Sequence, residues 1–91
     1  MIRLNCFIQV EASHREAVLE AAKELVGASL NDKGCVAYDL FESATRNDVM
    51  MICETWQDEA SLAAHSASAH FTTLVPRIES MAQMKLEKFQ F

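Results

Sequence analysis

The sequence predicts one α+β domain whose strands and helices follow in the order β-α-β-β-α-β. Three observations predict it. Residues 2–10 alternate apolar and polar side chains with the period of a strand. Two later stretches carry apolar residues at helical spacing, the first directly after that strand. Only two Gly and one Pro occur among the 91 residues, so no flexible linker divides the chain, and residues 1–91 are expected to form a single domain.

In the first strand Ile2, Leu4, Cys6, Ile8 and Val10 point one way, and Arg3, Asn5, Phe7 and Gln9 the other. Ser13-His14-Arg15-Glu16 fits a capping box at the start of a helix. That helix has Val18, Ala21, Ala22, Leu25 and Ala28 or Ser29 on one stripe. Glu16, Glu20, Lys23 and Glu24 form its wet side. It should end in Asn31-Asp32-Lys33-Gly34, with Gly34 in the left-handed conformation that follows many helices.

Cys35 to Ala44 and Asp48 to Trp56 read as two strands joined by a turn at Thr45-Arg46-Asn47. Asp58 can cap a short helix holding Leu62 and His65. Ser66 or Ser68 can cap another that carries Phe71, Leu74, Val75 and Ile78. Pro76 is expected to break or kink that helix, because proline lacks an amide donor and crowds the preceding turn. Met84 to Phe91 is the last strand.

This order is the split ferredoxin-like arrangement: a four-stranded antiparallel sheet with helices on one face and the first and third strands central. The third strand, with Val49-Met50-Met51-Ile52-Cys53, is apolar on both faces. A sheet with one wet face would alternate instead. The second face is therefore expected to be covered by another copy of the chain, sheet on sheet in a two-fold dimer.

Composition excludes several functions. The chain is 51% hydrophobic and 23% charged, which is globular. Eight Lys and Arg against 13 Asp and Glu leave a net charge of -5, which disfavours nucleic acid and anionic membrane surfaces. No stretch is long and apolar enough for a membrane span. Met1-Ile2-Arg3-Leu4-Asn5 enters a strand pattern directly, so no secretory leader is expected. Cys6, Cys35 and Cys53 cannot all pair within one chain, and each lies among apolar residues. The expectation is a reduced cytoplasmic protein.

The densest polar and aromatic cluster is Glu54-Thr55-Trp56, then His65, then His70-Phe71. Glu54 and Trp56 share a strand face. Tyr38 and Asn5 are candidates to face the same cavity, a small apolar pocket with a few polar groups. His65 is the candidate general acid or base, with Glu54 orienting one ring nitrogen. The alternative is that His65 caps or packs at a helix end. His70 lines the pocket or bonds locally at a helix start, and Trp56 is either core or a cavity wall. There is no Cys-x-x-Cys pair, no Gly-rich phosphate loop and no dinucleotide fingerprint. His65 and His70 are five apart, not the four that places two ligands on one helix face. Neither a zinc site nor a dinucleotide site is supported by these motifs.

Glu54-Thr55-Trp56-Gln57-Asp58-Glu59-Ala60-x-Leu62-x-Ala64-His65-x-x-Ser68-x-His70-Phe71 resembles the signature of the antibiotic biosynthesis monooxygenase family. Gly34-Cys35-x-x-Tyr38 is also similar to that family, and the resemblance covers essentially the whole chain. It implies a ferredoxin-like dimeric α+β barrel. It also implies an enzyme that oxidises quinols or polycyclic phenols with molecular oxygen, without metal, flavin or haem. The resemblance makes His65 the base or phenolate partner, and Glu54 the group that orients it. Asn5, Tyr38, Trp56 and Phe71 become wall residues.

Two relatives with the same scaffold are weighed. An isomerase of a phosphorylated autoinducer would need cations for the phosphate, and Arg3, Arg46 and Arg77 are scattered. Haem-degrading monooxygenases use a helix Trp and an iron-ligating His. Here the corresponding positions hold His65 and either Val75 or Pro76. The remaining alternatives are a proton-transfer isomerase of a small carbonyl compound and a non-catalytic ligand-binding dimer.

Overall fold

The computed structural model describes all residues, 1–91. Its strands are β1 (Ile2–Val10), β2 (Cys35–Glu42), β3 (Val49–Trp56) and β4 (Ala82–Gln90). The helices are α1 (Arg15–Ser29), α2 (Glu59–Ser66) and α3 (Ala69–Glu79). The four strands form one antiparallel sheet in the order β2-β3-β1-β4, so the first and third strands are central as expected.

All three helices lie on one face of this sheet. The alternation of β1 aims Ile2, Leu4, Cys6, Ile8 and Val10 at them, and these residues are buried. Met50, Ile52 and Trp56 of β3 join them, with Val18, Ala21, Ala22 and Leu25 of α1 and Leu74 and Ile78 of α3. Burying these side chains is the main force holding helices to sheet, at about 1.5–3 kcal/mol for each large one.

Three local expectations change. Ser13 does not cap α1. It lies in a 3-10 turn, Ala12–His14, whose His14 amide donates to the Glu11 carbonyl at 3.0 Å. That tighter turn satisfies one of the amides that a helix start leaves without an intrahelical partner. Arg15 instead ties the start of α1 to the β2–β3 loop, donating to Asn47 O and Glu42 Oε1, both at 2.8 Å.

Pro76 does not break α3, which runs on to Glu79. The carbonyl that loses its amide partner belongs to Thr72, an exposed residue, so water can replace the bond. The last strand also starts two residues early, at Ala82.

Two turns place the site. Gly34 has φ of 81°, a left-handed conformation open to glycine at little cost. A Cβ there would run into Ser61 Oγ, so the residue also allows α2 to approach the loop after α1. At the start of β2 a register shift between Cys35 and Ala37 leaves Val36 unpaired and sets Tyr38 directly opposite Glu54.

The other sheet face carries no helix. Phe7, Met51 and Phe41 are aligned across β1, β3 and β2 on it. Phe7 and Phe41 are exposed, as are Phe89 and Phe91.

Candidate active site

Between the helices and the sheet lies a cavity of about 400 Å³. Leu4, Cys6, Ile52 and Glu54 form its floor, Tyr38 stands beside them, and Leu25, Leu62, Phe71 and Val75 make its walls. It opens between α3 and β4, where Leu86 is 62% exposed and Lys88 pairs with Glu59 at 2.7 Å. A mostly apolar cavity with a few convergent polar groups is the usual form of a small-molecule site.

Glu54 is the charged group on the floor. It is 7% exposed, and its Oε1 accepts from Trp56 Nε1 at 2.9 Å. Burial raises its carboxyl above the usual carboxylate range, against the lowering effect of the Trp56 bond and nearby His65. Burial and the Glu54 carboxylate together push the Tyr38 phenol well above its ordinary value, so it stays protonated. Burial first, then Glu54 and Glu79, push the Cys6 thiol up to about 11, leaving it unreactive.

His65 sits one layer behind this wall. Its ring centroid lies 4.5 Å from that of Trp56, 5.2 Å from Phe71 and 5.5 Å from Tyr38. It is 1% exposed. His65 Nδ1 is 2.8 Å from Asp32 Oδ2, and His70 Nε2 is 2.8 Å from the same oxygen. Partial burial opposes the charge on Asp32. The bonds from the two imidazoles outweigh it and hold the carboxyl below its usual range. His65 Nε2 is buried without a partner.

Local sequence builds this arrangement. Asp58 Oδ1 caps α2 by accepting from the Ser61 amide at 2.8 Å, as expected. Ser68 caps α3 and also donates from Oγ to the His65 carbonyl at 2.6 Å. The two serine bonds hold α2 and α3 end to end, so His65 closes one helix as His70 opens the next.

The expected site residues therefore divide. Glu54, Tyr38 and Phe71 line one cavity, and His65 and His70 lie together behind it. Glu54 does not orient His65, because its carboxylate is bonded to Trp56; Asp32 is the carboxylate on the ring. Trp56 is fully buried against His65 and offers no face to the cavity. Asn5 is not brought to the site. It pairs with Cys53 and Glu87 and points, with Arg3 and Phe7, to the opposite sheet face. Asp32 was hidden in a segment that reads only as a helix end, and no local signal marks it.

Asp32, His65 and His70 are also the set that could ligate a cation, since their ligand atoms lie within 4.8 Å of one another. Histidine spacing alone does not reveal this cluster, because the two rings come from different helices.

Comparison with known proteins places the chain in a family. Residues 1–77 match the antibiotic biosynthesis monooxygenase family. YcnE of Bacillus subtilis, named as a candidate monooxygenase, is 33% identical over 87 residues, 96% of this chain and 92% of that protein. A conserved protein of unknown function from Bacteroides thetaiotaomicron, described as a possible oxidoreductase, is 58% identical. It superposes with a TM-score of 0.97 over 99% of this chain and 96% of that one. A crystal structure of an antibiotic biosynthesis monooxygenase is 28% identical, with a TM-score of 0.92 over 100% of this chain and 98% of that one. The chain belongs to the antibiotic biosynthesis monooxygenase family, and a monooxygenase-like function is the class this membership supports.

Proposed function

We propose that this protein is a cofactor-independent monooxygenase that oxidises a quinol or polycyclic phenol with molecular oxygen. The observation that carries the reading is a largely apolar cavity with one buried carboxyl on its floor, held above the usual carboxylate range by burial. Leu25, Leu62, Phe71 and Val75 suit flat rings, and Tyr38 is a protonated donor for a phenolate oxygen. Phosphate recognition is poorly served: Lys88 is the one cation on the cavity, and Glu59 already pairs with it.

Triplet oxygen reacts slowly with closed-shell organic molecules. The reading has the substrate supply the electrons. Glu54 takes a proton, and the Tyr38 hydroxyl steadies the resulting anion. The anion passes one electron to oxygen, and the radical pair joins as a peroxide on a ring carbon. For an anthrone, loss of water then leaves a new carbonyl: one oxygen atom stays in the product and the other departs in water with the two hydrogens of that carbon. A dry cavity protects the anion from premature protonation.

The protein acts as a homodimer in this reading, with Phe7, Met51 and Phe41 of two copies covering each other's open sheet face. Its three unpaired cysteines suit the reducing cytoplasm.

Oxygen uptake with reduced naphthoquinols and anthrones tests the activity. The expected result is a rate well above the spontaneous one, lowered on the order of 10²-fold by Glu54→Gln. Proton exchange into a carbonyl substrate without oxygen uptake would replace this reading with an isomerase.

A further inference from the structure

Asp32 Oδ2 stands 2.8 Å from two imidazole nitrogens, His65 Nδ1 and His70 Nε2. A carboxylate oxygen can only accept, so both nitrogens carry protons toward it. A neutral His65 is thereby held as the Nδ1–H tautomer, and its other nitrogen, Nε2, is a bare lone pair. That nitrogen is buried and has no partner. A buried acceptor without a donor is costly, and structures usually satisfy it. The rings of Tyr38 and Phe71, both on the cavity wall, pack against His65 with centroids 5.5 and 5.2 Å from its own. Phe71 is only partly buried.

We infer that Asp32 is a positioning residue: it fixes His65 with Nε2 as a hydrogen-bond acceptor for a hydroxyl-bearing ligand, while His70 donates to the same carboxylate oxygen. A ligand hydroxyl that displaces the Phe71 ring donates to Nε2 and is oriented by that bond, and Glu54 remains the group that takes the proton in the oxidation. Asp32 touches no substrate; it acts only through His65. The ligand step rests on the cavity reading above, whereas the tautomer does not.

Nitrogen-15 NMR of the full-length protein separates the two. In the neutral His65 ring, long-range couplings should show the proton on Nδ1 and a bare Nε2. Addition of 1,4-dihydroxynaphthalene under anaerobic conditions should move the Nε2 resonance. In Asp32→Asn the amide can donate to Nδ1, so the tautomer should switch and kcat should fall on the order of 10²-fold. Asp32→Glu should recover part of both.

A wild-type His65 protonated at Nε2 would overturn the inference without any variant. So would an Asp32→Asn protein that keeps both the tautomer and the rate. Stoichiometric zinc binding that shifts both imidazoles and raises activity would overturn it as well, and assign the cluster to a metal. If no substrate is oxidised but the tautomer and its Asp32 dependence hold, the oxygenase reading fails and the positioning role stands.

Discussion

Trp56 donates from its indole nitrogen to Glu54 Oε1 at 2.9 Å, two residues apart on one strand face. The bond serves one lone pair of a carboxylate that is otherwise buried among apolar side chains. One oxygen is held by the core while the group still faces the cavity. Stability and reactivity are therefore opposed at this residue.

Glu54→Gln should stabilise the protein at neutral pH. Glu54 ionises higher in the fold than its usual value of 4.5. Below that value both states hold the proton and nothing is lost. As pH rises past it, the unfolded chain gives up its proton first, so wild-type stability falls until the folded group ionises too. Glutamine keeps an acceptor for Trp56 and removes the loss. Thermal unfolding should show the variant melting higher at pH 7, on the order of a few degrees, with the gap closing below about pH 4.5. Equal curves across this range would contradict the account.

Asp32 should act in the other direction. Its carboxyl is held below the usual 3.8. The associated stability is complete above that value and is lost as pH falls through the lower folded value. Asp32→Asn should flatten the acid side of the stability profile, read as Tm against pH below about pH 4.

Gly34→Ala should destabilise strongly. The residue has φ of 81°, and a Cβ would meet Ser61 Oγ. The backbone strain alone is worth about 1–3 kcal/mol, a drop in Tm on the order of 10 °C. Adding Ser61→Gly should recover the steric part and leave the backbone part, which a comparison of three melting curves resolves.

Met51→Lys should yield a monomer. Met51 lies between Phe7 and Phe41 on the open sheet face, away from the cavity. A lysine in each copy would bring charge into the proposed interface. Light scattering should report the mass of two chains for the wild type and of one for the variant, with the circular dichroism spectrum unchanged. A monomeric wild type would contradict the sheet-on-sheet assembly.

The fold was legible wherever a single period governed a segment. The alternation of Ile2–Val10 set both the strand and its buried face, and the stripe ending at Ser29 set α1. The cap at Asp58 was legible because one side chain meets one nearby amide, and that of α3 was narrowed to Ser66 or Ser68, of which Ser68 takes the amide. Ser13 misled because it is drawn into a 3-10 turn before α1, and Pro76 because the carbonyl it deprives of a partner, that of Thr72, is exposed to water.

The site was half legible. Glu54 and Tyr38 face one cavity because strand alternation and pairing place them there. The same alternation sends Asn5 to the opposite face. Asp32 was not legible, since its partners His65 and His70 lie more than thirty residues away and converge on it only in three dimensions.

The most direct test of the central claim is to follow the oxygen atoms. The metal-stripped protein is incubated with an anthrone under ¹⁸O₂, and product and water are analysed by mass spectrometry. The account predicts one labelled atom in the new carbonyl and one in water, formed well above the spontaneous rate and suppressed by Glu54→Gln. Product formed only at the spontaneous rate, or unaffected by Glu54→Gln, would contradict it.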